Sequence, residues 1–161
     1  MLQKVRTFWI EDVLEPSLHN MPFINPEFHE KHDAVANPWE TTLPTTQKHK
    51  KIMAPKTSIT EIYDQAGGEL LILGEAGSGK TTLLLQLALI LLDRAEHDDQ
   101  APIPVIFLLS TWSEKQLPID QWLIEELNQK YQVPRVLGEL WLHSENILPL
   151  LDGLDEVAAN V

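Results

Sequence analysis

Residues 68–88 read GELLILGEAGSGKTTLLLQLA, and the change of texture along them decides the fold. Leu70, Leu71, Ile72 and Leu73 form a short, wholly apolar run bounded by glycines, as a strand buried on both faces would. GEAGSGKT at 74–81 then matches G-x-x-x-x-G-K-[ST], and a long helix is predicted from about Gly79 to Glu96, closed by the polar patch His97 to Gln100. Gly74, Gly77 and Gly79, with Glu75, Ala76 and Ser78 between them, let the backbone curl so that successive N–H groups converge on a phosphate. The helix start adds its positive end. In such a loop Lys80 reaches the β- and γ-phosphates, Thr81 offers its hydroxyl to Mg²⁺, and Thr82 lies near the α-phosphate. At ordinary residue frequencies the four fixed positions arise by chance in roughly one chain of this length in two hundred. The flanking strand and helix patterns lower that further, so nucleotide binding is the reading that this stretch supports.

Val105 to Leu109 is a second buried strand pattern, with Pro102 and Pro104 at its mouth. Strand, helix, strand implies a parallel sheet. Ile119, Trp122, Leu123, Leu127 and Tyr131 recur at helical intervals and predict a covering helix, and Val136, Leu137, Leu140 and Trp141 a shorter one. A third strand is expected over Ile147 to Leu151, running into Asp152, although Pro149 sits inside it and a central strand has no use for a missing donor. Upstream, Ser58 or Thr57 is placed to cap a short helix carrying Ile59, Ile62 and Tyr63, which Gly67 and Gly68 end.

LPLLDGLDEV at 148–157 is the second chemical element. In a chain that already has a phosphate loop, a carboxylate just past a strand is where Mg²⁺ needs one, so Asp152 is the candidate to hold the metal. Glu156 is the first candidate to orient or deprotonate the attacking water, with Asp155 sharing that task or coordinating metal.

Composition narrows the partners. The 161 residues carry 12 basic and 24 acidic side chains, a formal charge of −12, which argues against nucleic acid as a partner. There are seven basic against nine acidic residues up to Gly68, and five against fifteen from Glu69 onward. A nucleotide bound in that acidic half needs local compensation from backbone amides, a lysine and a divalent cation. The absence of cysteine excludes a disulfide scaffold, a thiolate zinc site and a cysteine nucleophile, and fits a cytoplasmic location. The longest apolar stretch, Leu83 to Leu92, is about half of the ~20 residues a membrane helix needs, so no membrane span is expected.

The first part of the chain reads differently. Val5, Phe8, Trp9, Val13 and Leu14 have the spacing of an amphipathic helix within residues 1–20, packed on its own domain or docked on a partner. Residues 21–56, rich in Pro and Thr, read as linker, and the run Lys48, His49, Lys50, Lys51 as a solvated segment. His19, His29, His32 and His49 show no metal-ligand spacing.

At Asp152-Gly153-Leu154-Asp155-Glu156, and along Gly68 to Ala88, the sequence resembles the NACHT family within the STAND class of P-loop NTPases, whose second motif is a hydrophobic run, Asp, a small residue, a hydrophobic residue and then Asp-Glu. The likeness covers about Thr57 to Val161. It implies an α/β, three-layer P-loop fold with a mostly parallel sheet, incomplete at the C-terminus because the family's next strand, which inserts between the first and third, and its winged-helix region are missing. It also implies a signal-transduction or defence switch in which ATP, or alternatively GTP, with Mg²⁺ holds an active and often self-associated state that slow hydrolysis resets, with effector and sensor domains in a longer parent. The expectation is therefore a fragment with weak or no turnover of its own. The adenine is expected near Ile59 and Ile62.

Rival readings fare worse. A GTPase expects D-x-x-G and N-K-x-D, but Asp152 is followed three residues later by Asp155 and Asn128-Gln129-Lys130-Tyr131 lacks the Asp; the L-S-G-G-Q of a transporter ATPase is absent, and for the arginine-bearing lid of a small-molecule kinase the chain after Lys80 offers only Arg94 and Arg135. A general AAA+ ATPase shares the loop and an Asp-Glu pair, but there the pair follows the strand directly. A module that binds nucleotide without turnover, or a remnant that binds nothing, is the non-enzymatic alternative.

Overall fold

In the computed structural model residues 1–7, 9 and 58–157 are described, Asp155 and Glu156 by their backbone only. They fall into two bodies, residues 58–69 in one and the remainder in the other. The expectations for the rest of the N-terminal helix, the linker, its four histidines and its basic run lie outside the described residues.

The smaller body holds helix α2 (Ile59–Gln65), which follows a short N-terminal helix α1 (Leu2–Val5) in chain order. Ser58 is its N-cap: its hydroxyl accepts from the Glu61 N–H while the Glu61 carboxylate accepts from the Ser58 N–H, a reciprocal capping box. The helix ends where Gly68 N–H reaches the Tyr63 carbonyl and Gly67 N–H that of Asp64, a termination that needs positive φ just past the helix. The expected cap and stop are both present.

The larger body is built on two strands, β1 (Ile103–Leu108) and β2 (Ile147–Asp152), paired in parallel with Ile103 opposite Ile147 and Leu108 opposite Asp152. Pro104, Val105, Ile106 and Phe107 are all buried. Alternate side chains of a strand point to opposite faces, so an unbroken buried run means that both faces of β1 are covered, as in a parallel sheet. β1 begins earlier than expected, with Pro104 inside it, and Pro149 lies inside β2 opposite Val105. Each strand has one described neighbour, and a proline whose missing donor faces the unpaired edge removes no ladder bond.

Two expectations change. Leu70 to Leu73 form no strand: among the described residues the run pairs with nothing, and Leu71 and Leu73 are 44% and 53% exposed. An apolar run has the composition of a buried strand, but a strand also needs a ladder partner, and among the described residues neither open edge of the β1–β2 pair takes this run. Leu109, expected to end the second strand, instead opens a helix, α4 (Leu109–Lys115), which the sequence reading does not predict.

Helix α3 (Lys80–His97) packs on both strands, presenting Leu85, Ala88 and Leu92 to the core at helical spacing. Helix α5 (Ile119–Tyr131) ends as its periodicity predicted and contributes Trp122, Leu123, Leu127 and Tyr131, while α6 (Arg135–His143) packs against α5. Helix α7 (Leu154–Val157) follows β2 and packs against α4.

The N-terminal segment packs on its own domain. Val5 and Trp9 are buried in the same core as β1, with Arg6, Thr7 and Trp9 continuing α1 in π-helical form. Trp9 Nε1 donates to the Tyr131 hydroxyl at 2.5 Å, and that hydroxyl donates to the Ile106 carbonyl of β1 at 3.1 Å. Burial, partly offset by the Trp9 hydrogen bond, pushes the Tyr131 phenol up to about 12. Lys4 Nζ reaches the Tyr131 carbonyl at 2.7 Å and Arg6 pairs with Glu96 at 3.0 Å. Glu126 is a buried carboxylate in α5, 2% exposed, that pairs with Lys115 of α4 at 3.0 Å and with Lys130 at 2.8 Å. Burial alone would raise its pKa, but the two ammonium groups outweigh that and hold it below the usual glutamate value.

Candidate functional site

The loop 74–79 leads straight into α3, whose N-cap is Gly79 with φ +88° and ψ 19°. An L-residue avoids this left-handed region, so the glycine is what lets the chain turn into the helix there. At Gly74 a Cβ would sit 2.5 Å from the Ser78 hydroxyl, which would have to rotate away to admit it. Gly77 also has positive φ, and the turn is closed by Ser78 N–H donating to the Glu75 carbonyl at 3.1 Å. Gly74, Glu75, Ala76, Gly77 and Ser78 are all exposed.

Lys80 opens α3 and folds back over the loop, its ammonium donating to the carbonyls of Gly74 and Glu75 at 3.0 Å each. The loop thus encloses a cation near the helix's N-terminus. Thr82 is half-buried in the same turn.

Thr81 and Asp152 meet across 71 positions of sequence. The Thr81 hydroxyl lies 3.1 Å and 3.0 Å from the two carboxylate oxygens of Asp152, which it can donate to in turn. Asp152 is the last residue of β2, half-buried, and Gly153 turns the chain at φ +84° into α7. Asp155 and Glu156 belong to α7, one and two residues past its start. The fold therefore brings the end of the phosphate-type loop and the strand-end carboxylate together, and sets the Asp-Glu pair on the helix that follows. No group of three or more His, Cys, Asp or Glu side chains gathers as a metal site among the described residues.

The sequence reading gives Thr111 no role and Trp122 only a place in the covering helix. The Thr111 hydroxyl, in the first turn of α4, donates to the carbonyl of Leu108, the residue opposite Asp152, at 2.9 Å, and accepts from Trp122 Nε1 at 3.1 Å. A threonine three positions past the end of an apolar strand was the available signal.

Among the described residues no helix is long and apolar enough to cross a membrane. Neither the curated proteins nor the solved structures include a match to this chain. The family model described as NACHT domain matches residues 69–161, more than half of the chain, a span that takes in the glycine loop, both strands and Asp152. A parallel pair of strands with a glycine loop opening a helix is compatible with the P-loop architecture that this family implies. The chain belongs to the NACHT family of nucleotide-binding P-loop NTPases.

Proposed function

We propose that this chain binds a nucleoside triphosphate, ATP before GTP, together with Mg²⁺, and hydrolyses it slowly as the switch of a cytoplasmic signal-transduction or defence protein. The observation that carries the reading is the meeting of Thr81 and Asp152 at hydrogen-bond distance. A hydroxyl and a carboxylate are the hard oxygen donors that Mg²⁺ takes, and with few protein donors present the remaining ligands are phosphate and water. Mg²⁺, when bound, neutralises charge developing on the transferred phosphoryl group.

The chain's own residues supply the rest. Lys80 exchanges the Gly74 and Glu75 carbonyls for phosphate oxygens, a swap that replaces neutral acceptors by charged ones and so favours the bound state. The backbone of residues 74–79 and the start of α3 offset the acidity of this half of the chain. Thr82 lies by the α-phosphate, Asp152 takes the metal side, and Glu156, with Asp155 as the alternative, orients the attacking water from α7. In the domain organisation that goes with this reading, the nucleotide-binding part begins near residue 57, behind the N-terminal helix and a linker at 21–56. The output is self-association or the action of an effector and sensor domain.

The test is titration of a fluorescent ATP analogue into the purified chain with and without Mg²⁺, with GTP as competitor. Binding should strengthen with Mg²⁺, and Lys80→Ala should weaken it about ten- to a hundredfold, the worth of a charge-assisted hydrogen bond. Asp152→Ala should remove the Mg²⁺ effect. Affinity indifferent to Mg²⁺ and to Lys80→Ala sinks the reading.

A further inference from the structure

We infer that Thr111, locked by Trp122, is the residue that positions Asp152 for the metal; the inference rests on the Mg²⁺ site proposed above. Asp152 stands at the last position of β2, where the ladder stops, opposite Leu108, the last residue of β1. Strand ends fray unless something beyond the ladder holds them. Here the Thr111 hydroxyl does so, donating its one proton to the Leu108 carbonyl at 2.9 Å. The hydroxyl can hold that direction because its lone pair accepts the Trp122 indole N–H at 3.1 Å. That indole cannot turn to water instead: Trp122 is fully buried, with the rings of Phe107 and Trp112 at centroid distances of 5.7 Å and 6.5 Å. Trp112 is itself tied down, its Nε1 donating to the Leu117 carbonyl at 2.8 Å.

The result is a relay from a rigid aromatic cluster to the end of the sheet. Trp122 aims Thr111, Thr111 holds Leu108, and Leu108 keeps Asp152 in register with Thr81 across the mouth of the loop. Helix α4, in whose first turn Thr111 lies, also packs on α7, so the same anchor bears on the segment that carries Asp155 and Glu156. Thr111 does not touch the metal or the nucleotide; it acts through the strand end.

Thr111→Val is close in shape and deletes only the hydroxyl. Its nucleotide affinity is measured by fluorescent ATP titration with and without Mg²⁺, beside wild type, Thr111→Ser and Trp122→Phe. Partners that orient a ligating side chain are worth about ten- to a hundredfold in metal affinity. Thr111→Val should therefore lose about tenfold of the Mg²⁺-dependent gain while Mg²⁺-free affinity stays at the wild-type value, and Thr111→Ser should restore the gain. If Thr111→Val does not fold, as read by circular dichroism, Trp122→Phe decides by showing the same selective loss. The inference is overturned if the folded variant keeps the wild-type Mg²⁺ ratio, or if affinity falls equally with and without Mg²⁺. A wild-type chain that shows no Mg²⁺-dependent binding overturns the site reading itself, a different result from a wild-type effect that Thr111→Val leaves intact.

Discussion

Replacing Tyr131 by Phe should cost far more than one oxygen atom suggests, because that oxygen joins the N-terminal segment to the central strand. The hydroxyl accepts from Trp9 Nε1 and donates to the Ile106 carbonyl, and both aromatic residues are almost wholly buried. Phe at 131 leaves the indole N–H facing a ring edge, and a buried donor without a partner costs about 1–3 kcal/mol. Adding the weakened Ile106 carbonyl, the expected loss is about 2–3 kcal/mol, a fall in Tm of about 5–10 °C at this chain length. The assay is urea unfolding followed by far-UV circular dichroism, with Trp9→Phe and the double variant completing a cycle whose coupling term should exceed about 1 kcal/mol.

The same residue sets an alkaline limb. The phenol ionises near 10 when unfolded and is pushed up to about 12 in the fold, so its contribution is fully present below pH 10 and disappears as pH rises towards 12. That difference amounts to about 2–3 kcal/mol. Tyr131→Phe should lack this limb while keeping the rest of the pH profile. A loss under about 0.5 kcal/mol, or an alkaline limb unchanged in Tyr131→Phe, would refute the argument that the hydroxyl is a buried, two-way link.

Glu126→Gln should destabilise by about 1–3 kcal/mol at neutral pH, because Lys115 and Lys130 lose the carboxylate they share, as read by urea midpoints. Since its folded pKa lies below the usual value, the wild-type contribution is present above the ordinary glutamate range and is lost as pH falls through the folded value, and the variant should lack that acid dependence. Gly79→Ala forces an L-residue to φ +88° and should cost about 1–2 kcal/mol together with nucleotide affinity, checked by thermal melts and titration. Ser58→Ala removes the cap of α2 and should cost about 1 kcal/mol locally, visible as faster amide exchange at Glu61.

Much of the candidate site could be read without coordinates, for a physical reason. The glycines of 74–79, the start of α3 and the extent of α5 depend on φ preference and on the 3.6-residue period, which neighbours in sequence specify. The cap at Ser58 and the stop at Gly67 and Gly68 are equally local. That Asp152 stands at a strand end followed from its position after an apolar run, and Leu70 to Leu73 show the limit of that logic. Their composition is that of a strand, yet they have no ladder partner among the described residues, because pairing is a property of two segments and composition of one.

What only the tertiary structure decided is which distant groups share one bond. Thr81 meets Asp152, Trp9 meets Tyr131, Tyr131 meets Ile106, and Trp122 meets Thr111, contacts separated by 71, 122, 25 and 11 positions. No periodicity encodes such meetings, since each depends on where the chain returns after an intervening helix. Helix α4 was missed for a related reason: Leu109 to Lys115 carry no apolar period, and the segment is held by α5 and α7 rather than by its own pattern. The sequence alone therefore determined the phosphate-type loop and the helices that bear their own period, whereas the pairing of the strands and the second partner of every buried polar group came from packing, where leaving a donor unmatched costs as much as a hydrogen bond gains.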